Sequence, residues 1–243
     1  MGTVVSIRLA HIEPGNPEAL VAVADAQATF EALNERFSLY LESSELSRVA
    51  RGELLLADAS VEMREAYADS LDWRNRTNGD FTPHRPDGVI DLNGTIKAVG
   101  IERAATALHA RGFHDFSVNC GGDVIVSGRA DSGAWITGIA DPKSRDSQLS
   151  AIRHTEEWPA IATSSVAERG EHIWSQPMSE AIYAQVTVVA HEIVTADVLA
   201  TAIMSGGPKA LDHAVANFDV GVLAITRDGE LVGNDCFREL VAR

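Results

Sequence analysis

Cysteine is nearly missing from this chain of 243 residues: Cys120 and Cys236 are the only two. They are too few for a disulfide framework and too isolated for a zinc cluster, so a reduced, cytoplasmic setting is expected. Basic residues are scarce beside acidic ones, 20 Lys and Arg against 35 Asp and Glu, for a formal net charge of −15. Such a surface repels phosphate backbones, which excludes nonspecific nucleic-acid binding. The excess negative charge serves solubility, and a bound divalent cation is a second sink for it. No run of about 18 apolar residues exists, so no helical membrane span is expected. The opening MGTVVSIRLA lacks the basic stretch and apolar stretch of a secretory signal. Absent too are G-x-G-x-x-G after the first strand and G-x-x-x-x-G-K-[ST], which argues against a dinucleotide Rossmann unit and a P-loop. Neither a solenoid repeat nor a low-complexity linker divides the chain, so residues 1–243 read as a single domain.

What is present is ordinary globular material. Hydrophobic residues make up 45%, enough for a sizeable core. Val4–Leu9 is β-branched and partly alternating, as in a strand. Glu18–Phe37 carries Leu20, Val23, Ala24, Ala28, Leu33 and Phe37 at helical spacing. Leu54–Leu56 suits a short strand, and Ser60–Thr77 a long helix with Ser60 as N-cap. Gly79–Leu92 is a surface loop or a pair of short strands. A third helix spans Thr95–Gly112, closed by Gly112. Strands follow at Phe116–Val118, Val124–Val126, Trp135–Ile139, Ala160–Thr163 and Val186–Ala190. Helices are expected over Thr195–Met204 and Pro208–Asn217, then a hairpin from Val220–Thr226 and Leu231–Val232 around Asp228-Gly229. Interleaved helices and strands give the class α/β or α+β.

Four segments concentrate polar chemistry, and each has a plain structural reading beside the functional one. Asp91-Leu92-Asn93-Gly94-Thr95-Ile96-Lys97 leads into a helix, whose free N–H groups and Lys97 suit an anion; it is equally a capped helix start with a solvated lysine. Asn119-Cys120-Gly121-Gly122-Asp123 joins two strands, and its glycines permit close approach to a ligand or simply a tight turn. Ala162-Thr163-Ser164-Ser165, followed by Glu168, Arg169 and His172, is a hydroxyl-rich segment with a potential acid–base group, or a polar loop. On a helix Asp197 and Thr201 share one face, an oxygen pair that suits Mg²⁺, or a helix with one acidic residue near its N-terminus.

Their order and spacing together resemble the FAD:protein FMN transferase family, the thiamine-biosynthesis lipoprotein-like proteins. The resemblance runs from Met1-Gly2-Thr3 through Phe37-Ser38-Leu39-Tyr40 with Ser43-Ser44-Glu45-Leu46-Ser47, then Asp80-Phe81-Thr82-Pro83 and Asp91 to Ala104. It continues in Asn119 to Asp123, Ile139-Ala140-Asp141-Pro142, Ala162-Thr163-Ser164 with His172-Ile173, and Thr187-Val188-Val189 with Ala196-Asp197-Val198-Leu199-Ala200-Thr201-Ala202.

This resemblance implies a single elongated unit of the T-fold-like kind. It implies an enzyme that binds FAD with Mg²⁺, releases AMP, and attaches FMN through phosphate to a Thr or Ser of an acceptor flavoprotein. By the same resemblance Asp197, Thr201 and the backbone carbonyl of Ile96 hold the metal. His172 and Asp197 are the catalytic candidates. Met1, Gly2, Thr3, Ser44, Glu45, Lys97, Glu102, Asn119, Gly121, Gly122, Asp123, Thr163, Ser164 and His172 are the cofactor-binding candidates. The sequence departs from the family pattern at Asn93, Ala98 and Ser165, and His172-Ile173-Trp174-Ser175-Gln176-Pro177 stands for H-I-x-D-P-x-T-G. The missing Asp and Thr-Gly of the His172 segment bear on the acceptor or flavin side and spare the metal side, while Ala98 is the milder change, excluding only positive φ. The acceptor motif resembles D-x-x-[ST]-G-A-[ST]; Asp131-Ser132-Gly133-Ala134-Trp135 does not satisfy it, so a separate acceptor is implied. A pyrophosphatase releasing free FMN and AMP, a non-catalytic FAD-binding protein and a fold without flavin are the alternatives.

Overall fold

The computed structural model describes residues 3–165 and 182–242. Strand β1 (Val5–Leu9) is followed by α1 (Pro17–Phe37). The Asn16 side chain accepts from Ala19 N at 3.0 Å, and Pro17 supplies a helical φ at the first position. The buried stripe of α1 is Ala22, Ala26, Phe30, Leu33 and Phe37, rotated from the expected one. Leu20 and Ala24 are exposed because the inward face runs through Ala22 and Ala26 to Phe30 and Leu33. Helix α2 (Glu45–Ala50), a 3-10 turn (Leu56–Asp58) and α3 (Val61–Arg76) follow. The strand expected at Leu54–Leu56 is thus a correction: Asp58 N closes a turn onto Leu55 O, and Ser60 then caps α3. Between Gly79 and Leu92 there is one isolated bridge, His84 to Ile90, rather than a strand pair.

Helix α4 (Asn93–Ala110) begins two residues before the expected start. Asp91 Oδ1 accepts from Asn93 N at 2.9 Å and so takes up one of the unsatisfied donors there. Strands β2 (Phe116–Cys120) and β3 (Asp123–Ser127) form a tight hairpin. Its two turn residues, Gly121 and Gly122, have φ of 60° and 92°, the left-handed pair a two-residue hairpin requires. A second hairpin, β4 (Ile136–Asp141) with β5 (Ser144–Arg153), leaves the sheet. Strand β5 escapes a sequence reading because Ser-Arg-Asp-Ser-Gln-Leu-Ser lacks apolar alternation. Strands β6 (Ala160–Ser165) and β7 (Tyr183–Ala190), helices α5 (Ile193–Gly206) and α6 (Pro208–Asn217), strands β8 (Gly221–Thr226) and β9 (Leu231–Gly233), and α7 (Asp235–Leu240) complete the described chain.

Among the described residues the main sheet has the order β1-β2-β3-β6-β7-β8-β9, and every pairing is antiparallel. The fold is therefore α+β rather than a parallel α/β sheet. One face packs Phe116, Val118, Val186 and Val188 against Ala26 and Phe30 of α1, Ile101 and Leu108 of α4, and Leu199 and Ile203 of α5. The other face packs Val124, Ile161 and Val189 against Trp135 just before β4, Ile139 and Ile152 of the β4–β5 hairpin, and Phe237 of α7. A smaller cluster, Trp73, Phe81, Val198 and Ala202, ties α3 and the following loop to α5. Among the described residues no helix is long and apolar enough to cross a membrane.

Candidate functional site

The end of the sheet at the Gly121-Gly122 turn gathers most of the residues singled out by sequence. Thr3 lies directly on the turn: a Cβ at Gly121 would fall on its Oγ1, and Gly121 N donates to Val4 O at 3.2 Å. Asn119 Oδ1 accepts from Gly122 N at 3.1 Å, so the asparagine shapes the turn from within. Asp123, the first residue of β3, is wholly buried and forms an ion pair with Lys97 Nζ from the first turns of α4. Its Oδ1 also accepts from Thr163 N at 3.0 Å, which ties in β6.

From β6 the contacts pass outward. Thr163 Oγ1 lies 2.9 Å from Thr187 Oγ1 of β7, and Ser164 Oγ lies 3.3 Å from Thr201 Oγ1 of α5. One turn before Thr201, Asp197 is fully buried in the same helix. Burying a carboxylate costs on the order of several kcal/mol unless opposite charge or hydrogen bonds compensate it. Cys120 lies among these charges: Lys97, Asp123 and Asp197 all act on its thiol, and burial above all pushes its pKa up to about 11. Cys120 and Thr187 stand in segments that carry the family resemblance but are not among the individual cofactor-binding candidates. The first lies inside the Asn119–Asp123 turn; the second is a buried residue on the apolar strand β7.

Four sequence segments thus meet here, on α4, the β2–β3 turn, β6 and α5. Ile96 precedes Lys97 on α4, its side chain buried against Leu33, Phe37 and Leu92. Among the described residues no group of three or more His, Cys, Asp and Glu is placed to hold a metal ion. A metal here would rest on mixed oxygens, the Asp197 carboxylate, the Thr201 hydroxyl and the Ile96 carbonyl, and water. That donor set is hard and sparse in charge, which fits Mg²⁺ and not zinc.

Three expected cofactor residues are not part of this network. Ser44 caps α2, accepting from Ser47 N at 3.0 Å and donating to Ser38 O at 2.5 Å. Glu45 accepts from Ser60 N and from Ser60 Oγ at 2.5 and 2.7 Å and pairs with Arg36 Nε at 3.4 Å, so its carboxylate braces α2 to α3 and α1. Glu102 sits five residues past Lys97, well round the helix, where burial first and then Glu192 raise its pKa. Met1, Gly2 and His172 lie outside the described residues.

Solved proteins share this fold. The flavin transferase ApbE from Vibrio cholerae superposes with a TM-score of 0.78 at 22% identity, over 99% of this chain and 96% of that one. The ApbE protein of Thermotoga maritima gives 0.78 at 18% identity, over 99% of both chains. The apo flavinyl transferase ApbE of Pseudomonas stutzeri gives 0.74 at 17% identity, over 99% and 98%. At these identities the likeness establishes a shared fold. No curated protein matches. The model of the ApbE family matches residues 1–86 and 83–225. With nearly the whole chain so matched, it belongs to the ApbE family.

Proposed function

We propose that this protein is a Mg²⁺-dependent FAD:protein FMN transferase, acting as one domain over residues 1–243 and serving a separate acceptor flavoprotein. The observation that carries the reading is the meeting of Lys97, Asp123, Thr163, Ser164 and Thr201 at one end of the sheet, with Asp197 one turn from Thr201. A lysine ammonium and a hard-oxygen face brought to the same end of the sheet match a pyrophosphate, which needs both. The names of the solved relatives, flavin transferase and flavinyl transferase, supply the substrate class.

In this reading Asp197, Thr201 and the Ile96 carbonyl hold the metal, which supplies neutralisation of the pyrophosphate charge when bound. Lys97 draws a phosphoryl oxygen toward the turn. Gly121 is packed against Thr3, and the open space is at Gly122, where the turn offers its backbone to the nucleotide. Ser164 orients the Thr201 hydroxyl from the β6 side. His172 is the candidate for moving the proton of the incoming acceptor hydroxyl. The two free thiols support a reducing, cytoplasmic setting.

The test is to incubate the protein with FAD, with and without Mg²⁺, and with a peptide carrying a D-x-x-[ST]-G-A-[ST] sequence, and to resolve FAD, FMN, AMP and peptide. Expected is AMP release that needs Mg²⁺ and Asp197, with flavin on the peptide. Free FMN in equal amount with or without peptide would identify a pyrophosphatase instead, the outcome that the altered segment His172-Ile173-Trp174-Ser175-Gln176-Pro177 favours. FAD retained intact in every tube would remove the enzyme reading.

A further inference from the structure

We propose that Asp123 is a positioning residue that does not touch the nucleotide: it clamps the Lys97 ammonium to the end of β6 that runs on past β3. The inference deepens the proposed function and rests on it for the role given to Lys97. The argument begins with strand lengths. Strand β3 pairs with β6 at Val124–Ile161 and Ile125–Ala160, and there the pairing stops, because the chain has already turned at Gly121-Gly122. Strand β6 nevertheless runs on through Thr163, Ser164 and Ser165, supported on its other side by β7. On the β3 side Thr163 N then has no backbone carbonyl opposite it. The Asp123 side chain supplies the acceptor instead, at 3.0 Å.

The second carboxylate oxygen of Asp123 pairs with Lys97. Asp123 is 0% exposed, while Lys97 keeps 16% of its side chain open. The accessible member of the pair is therefore the cation, and the anion lies behind it. One carboxylate sets the ammonium of α4 relative to the strand whose next residue, Ser164, reaches Thr201. A buried acid that serves two partners within the chain has no oxygen turned to a ligand. Its effect on catalysis must pass through Lys97 and β6.

The test uses the full chain as wild type, Asp123→Asn, Lys97→Met and the double variant. Asparagine keeps an oxygen for Thr163 N and removes only the charge. In Mg²⁺-dependent AMP release from FAD, Asp123→Asn is expected to lower kcat about tenfold or more with KM for FAD within about twofold, while adding under about threefold in the Lys97→Met background. Independent, additive losses, or a rise confined to KM, would overturn the proposal, because a nucleotide ligand behaves so. Urea unfolding of the same four proteins without FAD provides a readout independent of activity. The clamp predicts that Asp123→Asn lowers the midpoint in the Lys97 background and much less in the Lys97→Met background; equal shifts in both overturn it. Should the wild type release no AMP, the transferase reading fails by itself and the unfolding cycle still decides the clamp.

Discussion

Gly100 lies where α1 and α4 cross, and Gly100→Ala should destabilise the protein even though alanine is the better helix former. A Cβ built there would stand 2.8 and 2.9 Å from Cε1 and Cδ1 of Phe30 and 3.4 Å from Cδ1 of Leu33. Phe30 and Leu33 are 8% and 1% exposed, and Phe30 belongs to the main core, so neither has open space to move into. Replacing Gly by Ala in a helix interior gains about 1 kcal/mol. Forcing an extra carbon into a packed core costs about 1–3 kcal/mol. The balance is a loss of about 1 kcal/mol, or about 2–4 °C in Tm for a chain of this size. Differential scanning calorimetry with urea titration reads both quantities, and the urea slope should stay constant if only the packing has changed. Phe30→Leu in the Gly100→Ala background should recover part of the loss. A rise in Tm for Gly100→Ala would refute the close-approach argument and show that the helices separate at no cost.

Other outcomes rest on single side chains. Asp197→Asn should remove Mg²⁺ stimulation of AMP release and lower the rate by about 100-fold or more, since a bound metal contributes several kcal/mol of charge stabilisation; unchanged Mg²⁺ dependence in a rate assay would move the metal elsewhere. Glu45→Gln should cost about 1–2 kcal/mol of stability through the Ser60 and Arg36 contacts while leaving the FAD dissociation constant as it is, and a fluorescence titration showing weakened FAD would return Glu45 to the cofactor. Cys120, with its thiol held near 11 by burial, should resist iodoacetamide at pH 8 in the native protein and react only on unfolding, as mass spectrometry of the labelled peptide would show. Burial also lowers the His154 pKa, with the Trp158 carbonyl opposing weakly. The unfolded chain then binds the proton first, so stability should fall as the pH drops below about 6.5 toward the depressed native value. His154→Gln should flatten that limb in urea midpoints measured across pH 7.5 to about 5.

The sequence was most informative where local chemistry and tertiary structure agree. Ser60 before an amphipathic run, Gly112 after one and paired glycines between β-branched segments each have one good local solution, and the structure adopts it. The α1 stripe misled because alanines carry little hydrophobic signal, yet Ala22 and Ala26 are what lets α4 approach. Strand β5 was invisible because its partner is the neighbouring β4 and its residues are mostly polar. At the site, the order of Lys97, Asp123, Thr163 and Thr201 in the chain was legible, but the partner of each was not. Glu45 and Ser44 show the limit: both stand in a recognised segment, and only the positions of Ser60, Arg36 and Ser38 reveal what those side chains hold.

The order of the sheet has a consequence for how the chain acquires its site in time. Strand β1 is an edge strand whose partner is β2, and residues 10–115 lie between them. Closing so long a loop is entropically costly, and contacts of high sequence separation form slowly. During synthesis the first strand therefore waits, unpaired, until α4 and the β2–β3 hairpin have emerged. Thr3 meets Gly121 only when that wait ends, so the seam beside the glycine turn closes only after β2 has been made, and a nascent chain stalled before β2 leaves its first strand without a partner.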